Sequence, residues 1–359
     1  MVTAPAPSPE SSGPASSPPP RPGPSRFGWL VLVSCVAALF LFAFSVRWTD
    51  VWDQLRGVGP MGLVILFPPA AIFCSQVVGW AAILRRLGHG VSLARLALIS
   101  LGNQAQRMAL PGGVAVAEPM QIWALDRWSD VGVESAVTSV TTKRVLTWLT
   151  NGIVSGAALV VVIAAGEGAT GLAKSHPAVW ALAVATVGLL ATSALVVASM
   201  RTERLLVVVR RGLALLPSQR LRAWLDATSR GWEETARRMA RAVGSPLALA
   251  WPSLWFLASW LIDVAETWLL LWVLGRPLPW VECLVIEVLA GLLKSLAFAS
   301  PGGLGAQDVG YAMMLSAYGV PGAAELAMSF VILKRGKEAV WTVIGLAAVT
   351  TWPLSRRPT

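Results

Sequence analysis

SPGGLGAQD, residues 300–308, interrupts a long apolar region near the C-terminus. Proline removes a backbone donor and glycine frees the backbone, so Pro301-Gly302-Gly303 breaks a helix. Asp308 then adds a carboxylate about one turn further on. Both features are costly in hydrocarbon, where every backbone polar group needs a partner from protein. The chain has them twice: LPGGVAVAE, residues 110–118, carries Pro111-Gly112-Gly113 and then Glu118 at the same spacing.

The surroundings of both breaks are apolar. Of 359 residues, 55% are hydrophobic and 13% charged, against roughly 25% charged in ordinary soluble domains. Runs of the ~20 residues needed to cross a bilayer are Phe27–Val46, Met61–Leu84, Glu134–Ala165, Ala178–Met200, Leu247–Leu274 and Ala323–Leu354. The fold class is an all-α integral membrane protein, a polytopic helical bundle. Residues 1–26 hold nine prolines and are expected to be a disordered tail. No A-x-A cleavage site follows the first run, so Phe27–Val46 is expected to be a retained span.

The net charge of +10 comes largely from arginine, with ten arginines and four acids within Arg201–Gly244 and others at span ends. That placement marks a cytoplasmic face and argues against a nucleic-acid partner. Cys35, Cys74 and Cys283 lie in apolar runs without disulfide or zinc spacing, and His89 and His176 have no ligand pattern around them. HExxH, GxSxG and P-loop motifs are lacking, so no metal, cofactor or catalytic residue is expected.

Charge also sets the topology. Arg85-Arg86, the arginine-rich segment and Arg356-Arg357 all lie inside only if each Pro-Gly-Gly region contributes no net crossing. The remaining loops agree, since Arg47 and Arg56 are offset by Asp50 and Asp53, and Glu167 by Lys174. Ser92–Leu110 with Val114–Leu125, and Trp280–Ser300 with Leu304–Ala317, then form either re-entrant hairpins or pairs of short full spans. The second arms are short for ~30 Å of hydrocarbon at 1.5 Å per residue, which favours the re-entrant form. Both termini are expected in the cytoplasm. Within 201–244, Leu221, Leu225, Trp232 and Met239 fall on one stripe with most arginines off it. This fits an amphipathic helix on an anionic membrane surface, or a linker helix packed on loops.

The breaks belong to a larger repeat. Lys143-Arg144 begins 25 residues after Glu118, and Lys334-Arg335 begins 26 after Asp308. Each unit opens with a span ending in Leu-Gly, at Leu87-Gly88 and Leu274-Gly275. Two copies cover 61–165 and 247–354, joined by the span 178–200 and the arginine-rich 201–244. By the charge argument they have opposite orientations. Inverted repeats with discontinuous helices meeting near the midplane are a transporter architecture.

Lys143, Arg144, Lys334 and Arg335 lie well inside long spans, where an unpaired charge costs ~2.5–3.5 kcal/mol. Pairing with Glu118 and Asp308, of the same or the opposite copy, offsets that cost. Lys334 is also one turn from Glu338. Two uses fit these charges: a structural ion-pair network, or a polar path for a zwitterionic or anionic headgroup. In the path, the cations and the free N–H groups at Pro111-Gly112-Gly113 and Pro301-Gly302-Gly303 hold phosphate. The breaks also read as plain tight turns. Asp263, Glu266, Glu287 and Lys294 add charge to the second copy without clear counterparts in the first.

PGGLGAQD, with the helix after it and the Lys-Arg-bearing last span, resembles the flippase-like transmembrane region of lysylphosphatidylglycerol synthases. The resemblance covers about residues 61–352 and is strongest over 296–345. That family usually has Glu where this chain has Asp308. Its full-length enzymes add a soluble aminoacyl-transferring domain, which is not expected in the 26-residue tail or in the few residues after the last span. The resemblance therefore implies the lipid-translocating region without the synthase: a cytoplasmic-membrane translocator, not an enzyme, with membrane lipids as its partners. Glu118 and Asp308 would carry any coupled protons. Two other readings stand beside it. One is a headgroup-modifying enzyme with Asp308 or Glu118 as general base. The other is an assembly partner of an envelope-synthesis or lipid-modifying enzyme, held by the arginine-rich helix and the proline-rich tail.

Overall fold

The computed structural model describes residues 47–109, 113–129, 131–165, 176–201, 246–297, 300 and 304–351. The tail 1–26, the span 27–46, the arginine-rich segment beyond Arg201, and Pro111, Gly112, Pro301, Gly302 and Gly303 lie outside the described residues.

Every regular element among the described residues is helical. Helix α1 (Trp48–Val58) leads through a 3-10 stretch (Gly59–Leu66) into α2 (Phe67–Arg86). Then come α3 (Leu93–Ala109), α4 (Gly113–Ser129), α5 (Val133–Ala165) and α6 (His176–Arg201). The second half contains α7 (Pro246–Val273), α8 (Trp280–Leu296), α9 (Ala306–Ala317) and α10 (Ala323–Thr351). By length and apolarity Trp48–Arg86, Val133–Ala164 and Leu249–Val273 are able to cross a bilayer, and Leu182–Ala198 is a shorter apolar helix.

Helix α1 corrects the reading of residues 47–56 as a charge-balanced loop. Val51, Leu55 and Val58 recur at spacings of three and four, enough for one apolar stripe. Val51 and Leu55 pack against Ala324, Met328 and Ile332 of α10. A helix of 11 residues is too short to be stable in isolation, so this packing holds it.

Helices α2 and α7, which open the two halves, end in the same way. Gly88 (φ 87°) and Gly275 (φ 72°) take the left-handed conformation that glycine adopts without strain. The N–H of His89 reaches the carbonyl of Leu84, and that of Arg276 the carbonyl of Leu271, both at 2.9 Å. These are Schellman closures that satisfy otherwise orphaned carbonyls.

Helix pairings run in matched sets. Helix α2 lies against α7, α3 against α4 and α10, and α8 against α9 and α5. Helix α4 packs on α5 as α9 packs on α10. Gly345 brings α10 close to α3: a Cβ there would lie 2.7 Å from the Leu101 carbonyl oxygen.

The burial pattern is that of a bundle in lipid. Large apolar side chains face outward, such as Trp180, Val184 and Val187 on α6 and Val343 on α10, each more than 60% exposed. Small polar ones face inward: Thr138, Ser139, Thr142 and Ser155 of α5 are at most 1% exposed. Several satisfy themselves on their own helix, as when Thr138 Oγ1 donates to the Glu134 carbonyl at 2.8 Å. Lipid tails are as apolar as leucine, so close packing and interhelical polar contacts, rather than water exclusion, hold such helices together. One core joins Trp80, Leu84, Leu96, Leu125 and Val140 of the first half. A larger one joins Val264, Ile286, Tyr311 and Phe330 of the second half with the end of α5.

Candidate functional site

The helices that follow the two Pro-Gly-Gly sequences pack on the charged long helices, α4 on α5 and α9 on α10. Helix α10 carries Lys334, Arg335, Lys337 and Glu338 within little more than one turn. At 3.6 residues per turn these side chains leave the helix in different directions, toward different neighbours.

Lys334 Nζ donates to both oxygens of Glu287 on α8, at 2.9 and 3.1 Å. Glu287 also accepts from Thr267 Oγ1 of α7 at 2.6 Å and from Tyr311 of α9 at 3.2 Å. Four helices thus converge on one carboxylate that is 3% exposed. Gln307 Nε2 donates to the Tyr311 hydroxyl at 3.1 Å, which fixes the ring's polar end. Lys337 donates to Glu266 Oε1, and Lys334 lies 3.9 Å from that same oxygen. Glu266 is fully buried. Removing one member of such a buried pair strands the other charge, which is the expensive event.

Arg335 reaches the hairpin acid. Its Nε and Nη2 donate to Asp308 Oδ1 at 3.0 and 2.7 Å, and Nη1 donates to Glu338 Oε2 at 2.7 Å. Asp308 Oδ2 accepts the Gly305 N–H at 2.9 Å, so the same carboxylate caps the start of α9. Helix α9 begins at Ala306 rather than at Leu304, which places Asp308 in its first turn.

The first half repeats the pair in a more open setting. Arg144 Nε lies 3.2 Å from Glu118 Oε1, with side chains 28% and 35% exposed. Helix α4 begins at Gly113 and runs to Ser129, beyond the expected Leu125, with Pro119 inside it. Lys143 sits over the Trp80 ring at 4.5 Å, and Arg144 over Trp148 at 5.5 Å. Such cation–π contacts offset part of a buried charge.

Glu118 and Asp308 therefore each pair with an arginine of the same half, Arg144 and Arg335. The expected Lys334–Glu338 contact is replaced: Arg335 holds Glu338 from three residues away, while Lys334 turns toward Glu287. Of the other expected site residues, Gly113 opens α4, and the remaining Pro-Gly-Gly residues lie outside the described residues. Lys337, Tyr311, Thr267 and Arg107 belong to this polar interior without having been singled out. Tyr311 had a signal, being one of two tyrosines in the chain and three residues after Asp308. Lys337 and Arg107 had a simpler one, each a cation inside a helix of the membrane region.

An all-helical bundle, with helices long and apolar enough to cross a bilayer and a charged interior, defines a class of polytopic membrane proteins. A family model, the lysylphosphatidylglycerol synthase TM region, matches residues 30–345. The chain belongs to this family, which places it among membrane proteins and connects it with membrane lipids. No curated protein matches it.

Proposed function

We propose that the protein is a lipid translocator that moves a phospholipid, or another lipid with a polar headgroup, between the leaflets of the cytoplasmic membrane. The observation that carries this reading is the repetition of one ion pair on matching elements, Glu118–Arg144 and Asp308–Arg335. The two halves are inverted repeats, each with a re-entrant hairpin, and both termini are cytoplasmic. The exchange symmetry of the helix pairings, α3 with α10 and α8 with α5 around the α2–α7 contact, supports the duplication. Rocking of one repeat against the other would expose the polar interior to each leaflet in turn.

In this reading the protein performs no covalent chemistry. In its support, Asp308 is engaged by Arg335 and Gly305, and Glu287 by three donors. Glu118, at 35% exposure, is the more accessible candidate for a coupled proton.

Proteoliposomes with fluorescent phospholipid in both leaflets test the reading. An impermeant quencher added outside should quench well beyond half of the signal with wild type, and less with Glu118→Gln plus Arg144→Gln. Quenching that stops at half with wild type, across several lipid classes, would remove the translocator reading. A second reading, an assembly partner of an envelope-synthesis or lipid-modifying enzyme, draws on the closed second-half network, whose charges are already neutralised internally.

A further inference from the structure

Helix α1 carries more apolar surface than α10 covers. At 3.6 residues per turn, Val58, Val51, Leu55, Trp48 and Trp52 fall on one continuous arc of this helix. Arg56, Thr49, Asp53, Asp50 and Gln54 fall on the rest of its circumference. Val51 and Val58 are buried, and Val51 and Leu55 pack against α10. Trp48 and Trp52 form the uncovered edge of the apolar arc, 53% and 56% exposed. The exposed Asp53 lies beyond that edge, on the polar side.

The chain on the C-terminal side of α1 says what surrounds this edge. The 3-10 stretch GPMGLVIL has no charged residue, and its Leu63, like Phe67 at the start of α2, is more than 60% exposed. In a membrane protein such a surface faces hydrocarbon. Helix α2 has 20 residues and is ~30 Å long, so it and the 3-10 stretch reach across the hydrocarbon without α1. Asp50, Asp53 and Arg56 would each be costly inside that layer. Gly59, at the junction, takes φ 52°, which lets the chain change direction between α1 and the stretch after it. The edge of the hydrocarbon therefore falls close to Gly59.

Other tryptophans lie at the same end of the bundle. Ile65 of the 3-10 stretch shares a core with Leu270 and Leu271 near the end of α7. Trp272, just beyond them, and Trp280, at the start of α8, are each 44% exposed. Tryptophans gather at the headgroup level, where the apolar ring and its N–H both find partners. Arg56 lies over the Trp52 ring at 4.9 Å, which puts a cation next to the exposed ring. That suits a layer of anionic or zwitterionic headgroups.

We propose that α1 is an interfacial helix whose partner is the lipid surface. Trp48 and Trp52 insert among the headgroups, the Asp53 side faces water, and Val51 and Leu55 grip α10. Lipid is the occupant because the tryptophan edge continues into the lipid-facing surface of Leu63 and Phe67. The inference goes beyond the translocator reading and does not depend on it. Its consequence is that α1 ties the first turns of α10, the helix of Lys334 and Arg335, to the membrane surface.

The test uses the full chain with Cys35→Ala, Cys74→Ala and Cys283→Ala, reconstituted into phosphatidylglycerol and phosphatidylethanolamine vesicles. Single spin labels are attached at Trp52→Cys, Asp53→Cys and Leu63→Cys. Electron paramagnetic resonance then reads accessibility to oxygen, which concentrates in lipid, and to a nickel chelate, which stays in water. The oxygen-to-nickel ratio should be highest at Leu63, intermediate at Trp52 and lowest at Asp53. Labels at Trp48→Cys and Thr49→Cys should repeat the fall between Trp52 and Asp53, since they stand in the same relation on the helix. Equal ratios within both neighbouring pairs would place α1 in water and overturn the proposal. A Trp52 ratio equal to that of Leu63 would sink the helix into hydrocarbon and overturn it as well. A Trp52 label closed to both reagents would mean that protein covers this edge, whether residues 27–46, a second copy or another chain, and would also overturn it.

Discussion

Asp308 serves two helices through its two oxygens: Oδ1 takes both hydrogen bonds from Arg335 of α10, and Oδ2 takes the Gly305 N–H at the start of α9. One short carboxylate satisfies a helix N-terminus and a guanidinium at once. Helix α9 is thereby fixed to α10 at its N-terminal end.

Arg335→Gln should therefore strand a carboxylate that is 2% exposed, at a cost of ~3 kcal/mol or more. Asp308→Asn should cost less, because the amide oxygen still accepts the Gly305 N–H. Thermal unfolding in detergent gives the order; equal melting temperatures for Arg335→Gln and wild type would show the pair to be unimportant for stability.

Glu287 and Lys334 should show strong coupling. Glu287→Gln leaves Lys334 with Glu266 at 3.9 Å as its nearest remaining carboxylate, and Lys334→Met leaves Glu287 with hydroxyl donors only. Each single change is expected to cost ~3–5 kcal/mol. The double change should cost less than the sum by at least ~1 kcal/mol. Additive losses in a double-mutant cycle would contradict the pairing.

Arg47 and Glu325 provide the contrast. They lie 3.0 Å apart, but the Arg47 side chain is 72% exposed. Exposed pairs contribute little once solvation and side-chain freedom are counted. Arg47→Ala should leave the melting temperature unchanged, and a clear drop would assign this contact a larger role in seating α1.

Gly345→Ala should force α3 and α10 apart, because the obstacle at 2.7 Å is the backbone oxygen of Leu101 rather than a movable side chain. Overpacking of this kind costs ~1–3 kcal/mol. Gly188→Ala on α6, with nothing within 4 Å, is the matched control and should be neutral or slightly stabilising. Equal effects at the two positions would rule out the close approach.

Much of the site was legible as chemistry without geometry. Glu118, Asp308, Arg144 and Arg335 stand out because ionised groups inside apolar runs are rare and need partners. Their pairing within each copy is a matter of helix packing. Arg107 and Lys337 were obscured by their own helices, where neighbouring polar residues make a cation look like a surface position. Residues 48–58 were obscured by short length, since one apolar stripe over 11 residues becomes a helix only when another helix covers it.

The sequence by itself determined the membrane class, the long helices, the repeated break-and-acid motif and the Leu-Gly closures after α2 and α7. These follow from hydropathy and backbone requirements, which act over one or two turns. Only the tertiary structure decided which acid neutralises which cation. Glu287 meets Thr267 and Lys334, 20 and 47 residues away along the chain, through the rotation and register of four helices. That rotation is what brings Glu287 of α8 to Lys334, whereas the lack of any Asp or Glu in α2 and α3 is already written in the sequence.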